Sequence, residues 1–193
     1  MNKPEKLDIV IVGVGGQGTL LASRILGHIA QGLGYDVKVS EVHGMSQRGG
    51  AVITYVRMAD VVRAPLVEQA GADYVVAFEE LEALRAVPYL KKGGTIIVNT
   101  QEILPLPVII GTAKYPEGIV AKLKEAAGEV VAIDGLPLAR AAGNERALNT
   151  LLLGVLAARL PFDKAVWQTA LQANVPARFL QANQAAFEAG YAL

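Results

Sequence analysis

The chain contains no cysteine, so it forms no disulfide and supplies no thiolate to an iron–sulfur cluster. Histidine is almost as scarce. His28 and His43 are the whole supply, too few and too scattered for a zinc site. Neither sign of charge is in excess: lysine plus arginine and aspartate plus glutamate each total 18, which leaves no basic surplus for nucleic acid. Long apolar runs are missing as well, since Leu148 to Ala158 falls well short of the ~20 residues that cross a bilayer. Lys3 and Lys6 precede an apolar run as in a signal peptide, but Asp8 and a glycine turn break that run early. No small-residue cleavage pattern follows. These absences describe a cytoplasmic protein that engages neither membrane nor nucleic acid.

What is present fits one α/β domain spanning residues 1–193, with a helical C-terminal extension from about residue 144. Hydrophobic residues make up 52% of the chain and charged residues only 19%. That balance means either a deeply packed, alanine-rich core or a large subunit interface.

The stretch from Ile9 to Gly50 is the most informative. Ile9-Val10-Ile11-Val12 reads as a buried strand, and Gly13-Val14-Gly15-Gly16-Gln17-Gly18 fits G-x-G-x-x-G directly after it. Leu21, Ile25, Ile29 and Leu33 then recur at helical spacing, and Val37 and Val39 mark a second strand. In that context Gly13 permits a tight turn, Gly15 lets backbone approach a ligand, and Gly18 lets helix and sheet pack closely. Free N–H groups at the helix start offer an anion site. The alternative is a purely architectural turn.

Glu41 falls where a dinucleotide fold places the carboxylate for a ribose hydroxyl pair. It is followed by Val42-His43-Gly44-Met45-Ser46-Gln47-Arg48-Gly49-Gly50, which is rich in recognition groups and poor in core formers. A loop leaving the carboxyl end of a strand lies where open α/β sheets bind ligands, so it is expected to share a crevice with the glycine turn.

Further along, residues 51–57 read as a β-rich run, Pro65 as the start of a short helical turn, and Asp73 to Phe78 as a buried strand. Glu79 to Arg85 carries acids first and an arginine last, as a helix prefers. Lys92-Gly93-Gly94 punctuates the chain before a strand at Thr95 to Asn99. Strand, helix, strand at this spacing implies right-handed parallel crossovers, with Phe78, Glu79, Asn99 and Thr100 on the same rim as Gly15 and Arg48. Pro105 and Pro107 mark a linker, Val108-Ile109-Ile110 a short strand, Pro116 to Ala127 a helix and Glu129 to Ile133 a last strand ending at Asp134. Beyond Asn144 the pattern is helical, with Phe162, Trp167, Phe179 and Phe187 as core and Asn149 as a satisfied buried amide. The fold class is Rossmann-like, a mostly parallel sheet with flanking helices.

The glycine turn and the His43 to Gly50 segment together resemble the small, gamma-type subunit of 2-oxoacid:ferredoxin oxidoreductases. The His-Gly-Met-Ser-Gln-Arg-Gly-Gly form is similar to the indolepyruvate branch, and the likeness is strongest over residues 8–99. The resemblance implies a larger partner subunit carrying thiamine diphosphate and the iron–sulfur clusters, with this chain completing the active site and helping to hold coenzyme A. Electrons would reach ferredoxin through that partner, in a hetero-oligomer. The implied reaction converts an arylpyruvate, coenzyme A and oxidised ferredoxin into an arylacetyl-CoA, carbon dioxide and reduced ferredoxin. A free-standing dinucleotide-binding oxidoreductase or sensor is the alternative, and it leaves the His43 to Gly50 block without a role.

The cofactor-binding candidates are Gly13, Gly15, Gly16, Gln17, Gly18, Glu41, His43, Ser46, Gln47, Arg48 and Gly49. Arg48 heads them, because a guanidinium between glycines forks onto a phosphate or carboxylate. Its other reading is a salt bridge to Glu41 or to a neighbouring subunit. His43 is either a donor to a ligand or a proton-transfer group, or a loop residue without catalytic duty. Gln17, Ser46 and Gln47 either fix a cofactor edge or hold loops together. No catalytic set is evident from spacing.

Overall fold

In the computed structural model, residues 4–44 and 50–193 are described. A six-stranded sheet runs in the order β2-β3-β1-β4-β5-β6, built from β1 (Lys6–Val14), β2 (Asp36–His43), β3 (Ala51–Ala59), β4 (Ala72–Ala77), β5 (Leu90–Asn99) and β6 (Glu129–Ile133). β1, β4, β5 and β6 pair in parallel, while β3 is antiparallel to both β1 and β2. The sheet is therefore mostly parallel with β3 reversed, as the α/β reading expects. β1 is central and buried on both faces, so it needs an unbroken apolar run rather than alternation.

Helices cover both faces. Against Ile9, Ile11, Val56, Met58, Val76 and Ile97 pack α1 (Thr19–Gly32), α5 (Gly135–Ala141), α6 (Leu148–Ala157), α7 (Lys164–Asn174) and α8 (Ala177–Tyr191). The opposite face, with Val10, Val12, Val75, Ile96 and Val98, carries α2 (Glu80–Ala86) and α4 (Ile119–Ala126). A four-residue helical turn, α3 (Leu106–Ile109), lies between α2 and α4 in sequence. Among the described residues no helix is long and apolar enough to cross a membrane.

The sequence reading requires several corrections. Glu41 does not stand on a strand beside the first, as the dinucleotide placement implies, because β3 lies between β1 and β2. β3 carries the apolar run suited to the interior position, whereas β2 carries Asp36, Lys38, Ser40 and Glu41, which suit a sheet edge. Asp8, buried in β1, sits opposite Arg57 of β3, and the two form a fork with Nε–Oδ1 3.0 Å and Nη2–Oδ2 3.2 Å. Arg57 Nη1 also donates to the carbonyls of Ala64 and Leu66 at 3.0 Å each. Those carbonyls are thereby satisfied outside any helix, and the turn expected at Pro65 does not form.

Lys92-Gly93-Gly94 lies inside β5 rather than before it, with Gly93 at φ +77° where the strand register slips. Val108 and Ile109 belong to α3, not to a strand: Pro105 and Pro107 stand at the N-cap and first turn, where proline suits a helix. α4 begins at Ile119 after Gly118, three residues later than Pro116 suggests. In the C-terminal helices Phe162, Trp167 and Phe187 are buried, but Phe179 is 37% exposed.

Candidate functional site

β1 ends at Val14 and α1 starts at Thr19, so the chain turns within Gly15 to Gly18. The left-handed conformations fall on Gly16, φ +102°, and Gly18, φ +90°, and not on Gly15. Gly18 makes its closest approach to α6 rather than to the sheet: a Cβ there would lie 2.5 Å from Asn149 Nδ2. Asn149 is a satisfied buried amide, donating to the Gly18 carbonyl at 3.3 Å and accepting from the Thr150 N–H at 2.8 Å. Gly13 is needed because a Cβ would meet Gln17 Oε1 at 2.8 Å and Phe78 Cβ at 3.1 Å.

Gln17 braces the turn. Its Oε1 accepts from the Val14 N–H at 2.7 Å and its Nε2 donates to the Phe78 carbonyl at 3.1 Å. The same carbonyl accepts from Asn99 Nδ2 at 3.1 Å, and Asn99 Oδ1 accepts from the Gly135 N–H at 2.9 Å. One amide chain thus ties the carboxyl ends of β1, β4 and β5 to the start of α5. Phe78 and Asn99 stand on the expected rim with Gln17. Glu79 and Thr100 point elsewhere. Glu79 caps α2 by accepting from the Glu82 N–H, and also accepts from Ile103 N–H and the Tyr115 hydroxyl. Burial, reinforced by that hydrogen bond, pushes the Tyr115 phenol above its ordinary pKa. Thr100 bonds the Ile133 carbonyl.

Removing the brace has a measurable consequence. Gln17→Leu leaves the Val14 N–H without its acceptor, and the chain is expected to lose about 1–3 kcal/mol in urea unfolding. An unchanged midpoint would show that the Gln17 bonds contribute nothing to stability.

Among the described residues, the glycine turn and the end of β2 line one crevice. The Gly15 N–H donates to the Gly50 carbonyl at 2.9 Å, and a cleft of about 350 Å³ is walled by Gly15, Gly16 and Thr19 on one side and Glu41, His43 and Val52 on the other. Glu41 Oε2 accepts from Thr54 Oγ1 at 3.1 Å and from Thr19 Oγ1 at 3.4 Å. The chain therefore places its own carboxylate beside the first residue of α1, whose N-cap makes no side-chain hydrogen bond. His43 Nδ1 lies 3.2 Å from the Gly44 carbonyl. Ser46, Gln47, Arg48 and Gly49 lie outside the described residues.

A larger cleft of about 760 Å³ opens on the other side of Gly16 and Gly18, lined by Gln101, Arg140, Arg146 and Asn149. Sequence reading missed Gln101, Arg140 and Arg146. No motif joins them to the glycine turn: Arg140 comes from α5 and Arg146 from the 3-10 turn Glu145–Ala147, both after β6. Among the described residues no group of three or more His, Cys, Asp or Glu could hold a metal ion.

With this geometry in place, the relationship to known proteins is decisive. Residues 8–193 match the family of pyruvate ferredoxin/flavodoxin oxidoreductases. The chain belongs to that family. It is 41% identical to the indolepyruvate oxidoreductase subunit IorB of Thermococcus kodakarensis over 191 residues, covering 96% of this chain and 95% of that protein. It is 39% identical to the subunit of the same name from Archaeoglobus fulgidus over 190 residues, 96% and 94% of the two chains. The fold matches the keto/oxoacid ferredoxin oxidoreductase gamma subunit of Geobacter sulfurreducens with a TM-score of 0.71 at 24% identity, over 96% of each chain. Its sheet order, with β3 between β1 and β2, differs from a dinucleotide fold, in which the second strand lies beside the first.

Proposed function

We propose that the chain is the small, non-cluster subunit of a 2-oxoacid:ferredoxin oxidoreductase acting on indolepyruvate or another arylpyruvate. It contributes to oxidative decarboxylation of the 2-oxoacid to an acyl-CoA, with carbon dioxide released and ferredoxin reduced. The observation that carries this reading is the likeness to indolepyruvate oxidoreductase subunits along nearly the full length of both chains. An iron–sulfur cluster does not fit a chain without cysteine, so the clusters, and thiamine diphosphate with them, are assigned to a larger partner subunit. The complex is cytoplasmic and takes coenzyme A as co-substrate.

Within that complex this chain's residues bind and orient. The glycine turn, held by Gln17, offers close backbone approach, and Glu41 and His43 face the same cleft. Gly13, Gly15, Gly16, Gln17, Gly18, Glu41, His43, Ser46, Gln47, Arg48 and Gly49 remain the proposed contacts to the co-substrate or to the partner's cofactor. Large apolar side chains on α3 and its C-cap support a partner surface: Leu106 is 67%, Ile109 65% and Ile110 63% exposed.

The purified chain is expected to be colourless and unable to reduce a dye with arylpyruvate, even with thiamine diphosphate and coenzyme A added. Absorbance spectra and the dye assay check this. Turnover by the chain alone would overturn the subunit assignment.

A further inference from the structure

Residues 100–118 connect β5 to α4 with only the four residues of α3 as regular helix or strand, a length that in a compact domain usually carries function. The connection is nonetheless fixed in shape. Glu79, 1% exposed just after β4, accepts from the Ile103 N–H at 3.1 Å near one end of the segment and from the Tyr115 hydroxyl near the other. One buried carboxylate thus holds both legs of a loop. The Gln101 carbonyl accepts from the Glu80 N–H at 3.2 Å, and the Pro107 carbonyl accepts from the N–H groups of Thr112 and Ala113, which closes the tip on itself.

What this frame holds out is apolar: Leu104, Leu106, Ile109 and Ile110 are all large and exposed. Its base is acidic. Neither the Glu80 nor the Glu102 carboxylate has a hydrogen bond or ion pair among the described residues. Burial, with the Glu102 and Glu79 charges, raises the Glu80 carboxyl above its ordinary pKa, and no cation among the described residues offsets them. A second copy meeting this surface about a two-fold axis would bring these carboxylates toward their own counterparts, which disfavours self-association. Gln101 and Ile103, at the base of the loop, also line the cleft of about 760 Å³, so whatever covers the tip borders the site that this chain helps to complete.

We infer that residues 100–118 are a preformed docking loop for the larger subunit: Leu106, Ile109 and Ile110 enter an apolar groove of that subunit, and a lysine or arginine beside the groove pairs with Glu80 and Glu102. Glu79 and Tyr115 are positioning residues. They order the loop before docking, so that association loses less conformational entropy. The inference rests on the subunit assignment proposed above and adds to it the surface through which assembly occurs.

The test is binding of the whole chain to the immobilised larger subunit by interferometry, with a melting curve for every variant. Wild type is expected to bind saturably. Leu106→Asp and Ile109→Asp should each weaken binding roughly thirty- to a thousandfold, the range for an interface hot spot, and should melt with wild type because both side chains are exposed. Val61→Asp, 68% exposed in the connection between β3 and β4, places the same charge elsewhere on the surface and should leave affinity unchanged. Glu80→Gln combined with Glu102→Gln should weaken binding and flatten its dependence on salt. Tyr115→Phe should weaken binding about two- to tenfold, the range for one hydrogen bond. It should also raise amide hydrogen exchange over residues 103–113 in the free chain but not in the complex, a pattern that a role confined to local packing does not produce. Wild-type affinity in Leu106→Asp and Ile109→Asp, an equal loss in Val61→Asp, or unaltered affinity and salt dependence in the glutamine pair would overturn the docking loop. The subunit assignment would then stand, since wild type binds in each of these cases. No binding of wild type to the larger subunit would overturn both.

Discussion

Arg48→Ala in the reconstituted complex is expected to lower catalytic efficiency by about ten- to a hundredfold. A hydrogen bond to a charged group is worth roughly 1.5–3 kcal/mol, and that range converts to such a factor when the bond is made in the transition state. Arg48 lies in the chain between Gly44 and Gly50, and the Gly50 carbonyl is bonded to the Gly15 N–H of the glycine turn. The role proposed for Arg48 is contact with an anionic group of substrate or cofactor. Arg48→Lys should recover only part of the activity, because the ammonium keeps the charge and loses the planar fork. Assembly is checked by size-exclusion chromatography, and turnover is then measured against 2-oxoacid and coenzyme A separately. An intact complex with unchanged kinetics would assign Arg48 to structure, with Glu41 as its candidate counter-ion, while failure to assemble would move it to the interface.

The largest loss of stability is expected from Gly190→Ala. α6 and α8 approach so closely that a Cβ on Gly190 would run into the Leu151 carbonyl oxygen, and one on Gly154 into the Phe187 carbonyl oxygen. Side chains can rotate away from an added methyl group, but two helix backbones cannot, so the helices must separate. Overpacking costs typically 1–3 kcal/mol, and backbone contact on both sides places this variant near 3 kcal/mol. For a chain of this length that corresponds to a fall in melting temperature of about 6–12 °C. Gly27→Ala is the matched control: its nearest neighbour is Val39 Cγ2 at 4.0 Å, and alanine is the better helix former. Circular dichroism melts should show Gly190→Ala well below wild type and Gly27→Ala level with it or above. Equal melting of Gly190→Ala and wild type would mean that α6 and α8 are not packed backbone to backbone.

The parts of this molecule that were legible in sequence are those fixed by local pattern. Continuous apolar runs marked β1 and β4, glycines marked the turn into α1, and Glu41 and His43 announced a cleft that the structure does form. What was hidden depends on long-range pairing. The Asp8–Arg57 fork helps fix β3 beside β1, yet those residues stand far apart in sequence and resemble ordinary surface charges until the strands are aligned. Val108-Ile109-Ile110 has the composition of a strand, but its flanking prolines favour a helical turn. Gln101, Arg140 and Arg146 carry no motif and meet the glycine turn only through the packing of α5 and α6. The same reasoning explains Phe179, whose helical spacing fits a core position while its place on α8 leaves it partly exposed.

The central claim is that this chain is one half of an enzyme whose redox centres lie on a larger subunit. The most direct measurement is arylpyruvate-dependent ferredoxin reduction in the presence of coenzyme A, with the larger subunit held constant and this chain titrated in. The account predicts no activity with this chain alone, and activity that rises with added chain and saturates once the larger subunit is fully occupied. Activity of the larger subunit that does not respond to this chain, or turnover by this chain without it, would contradict the account.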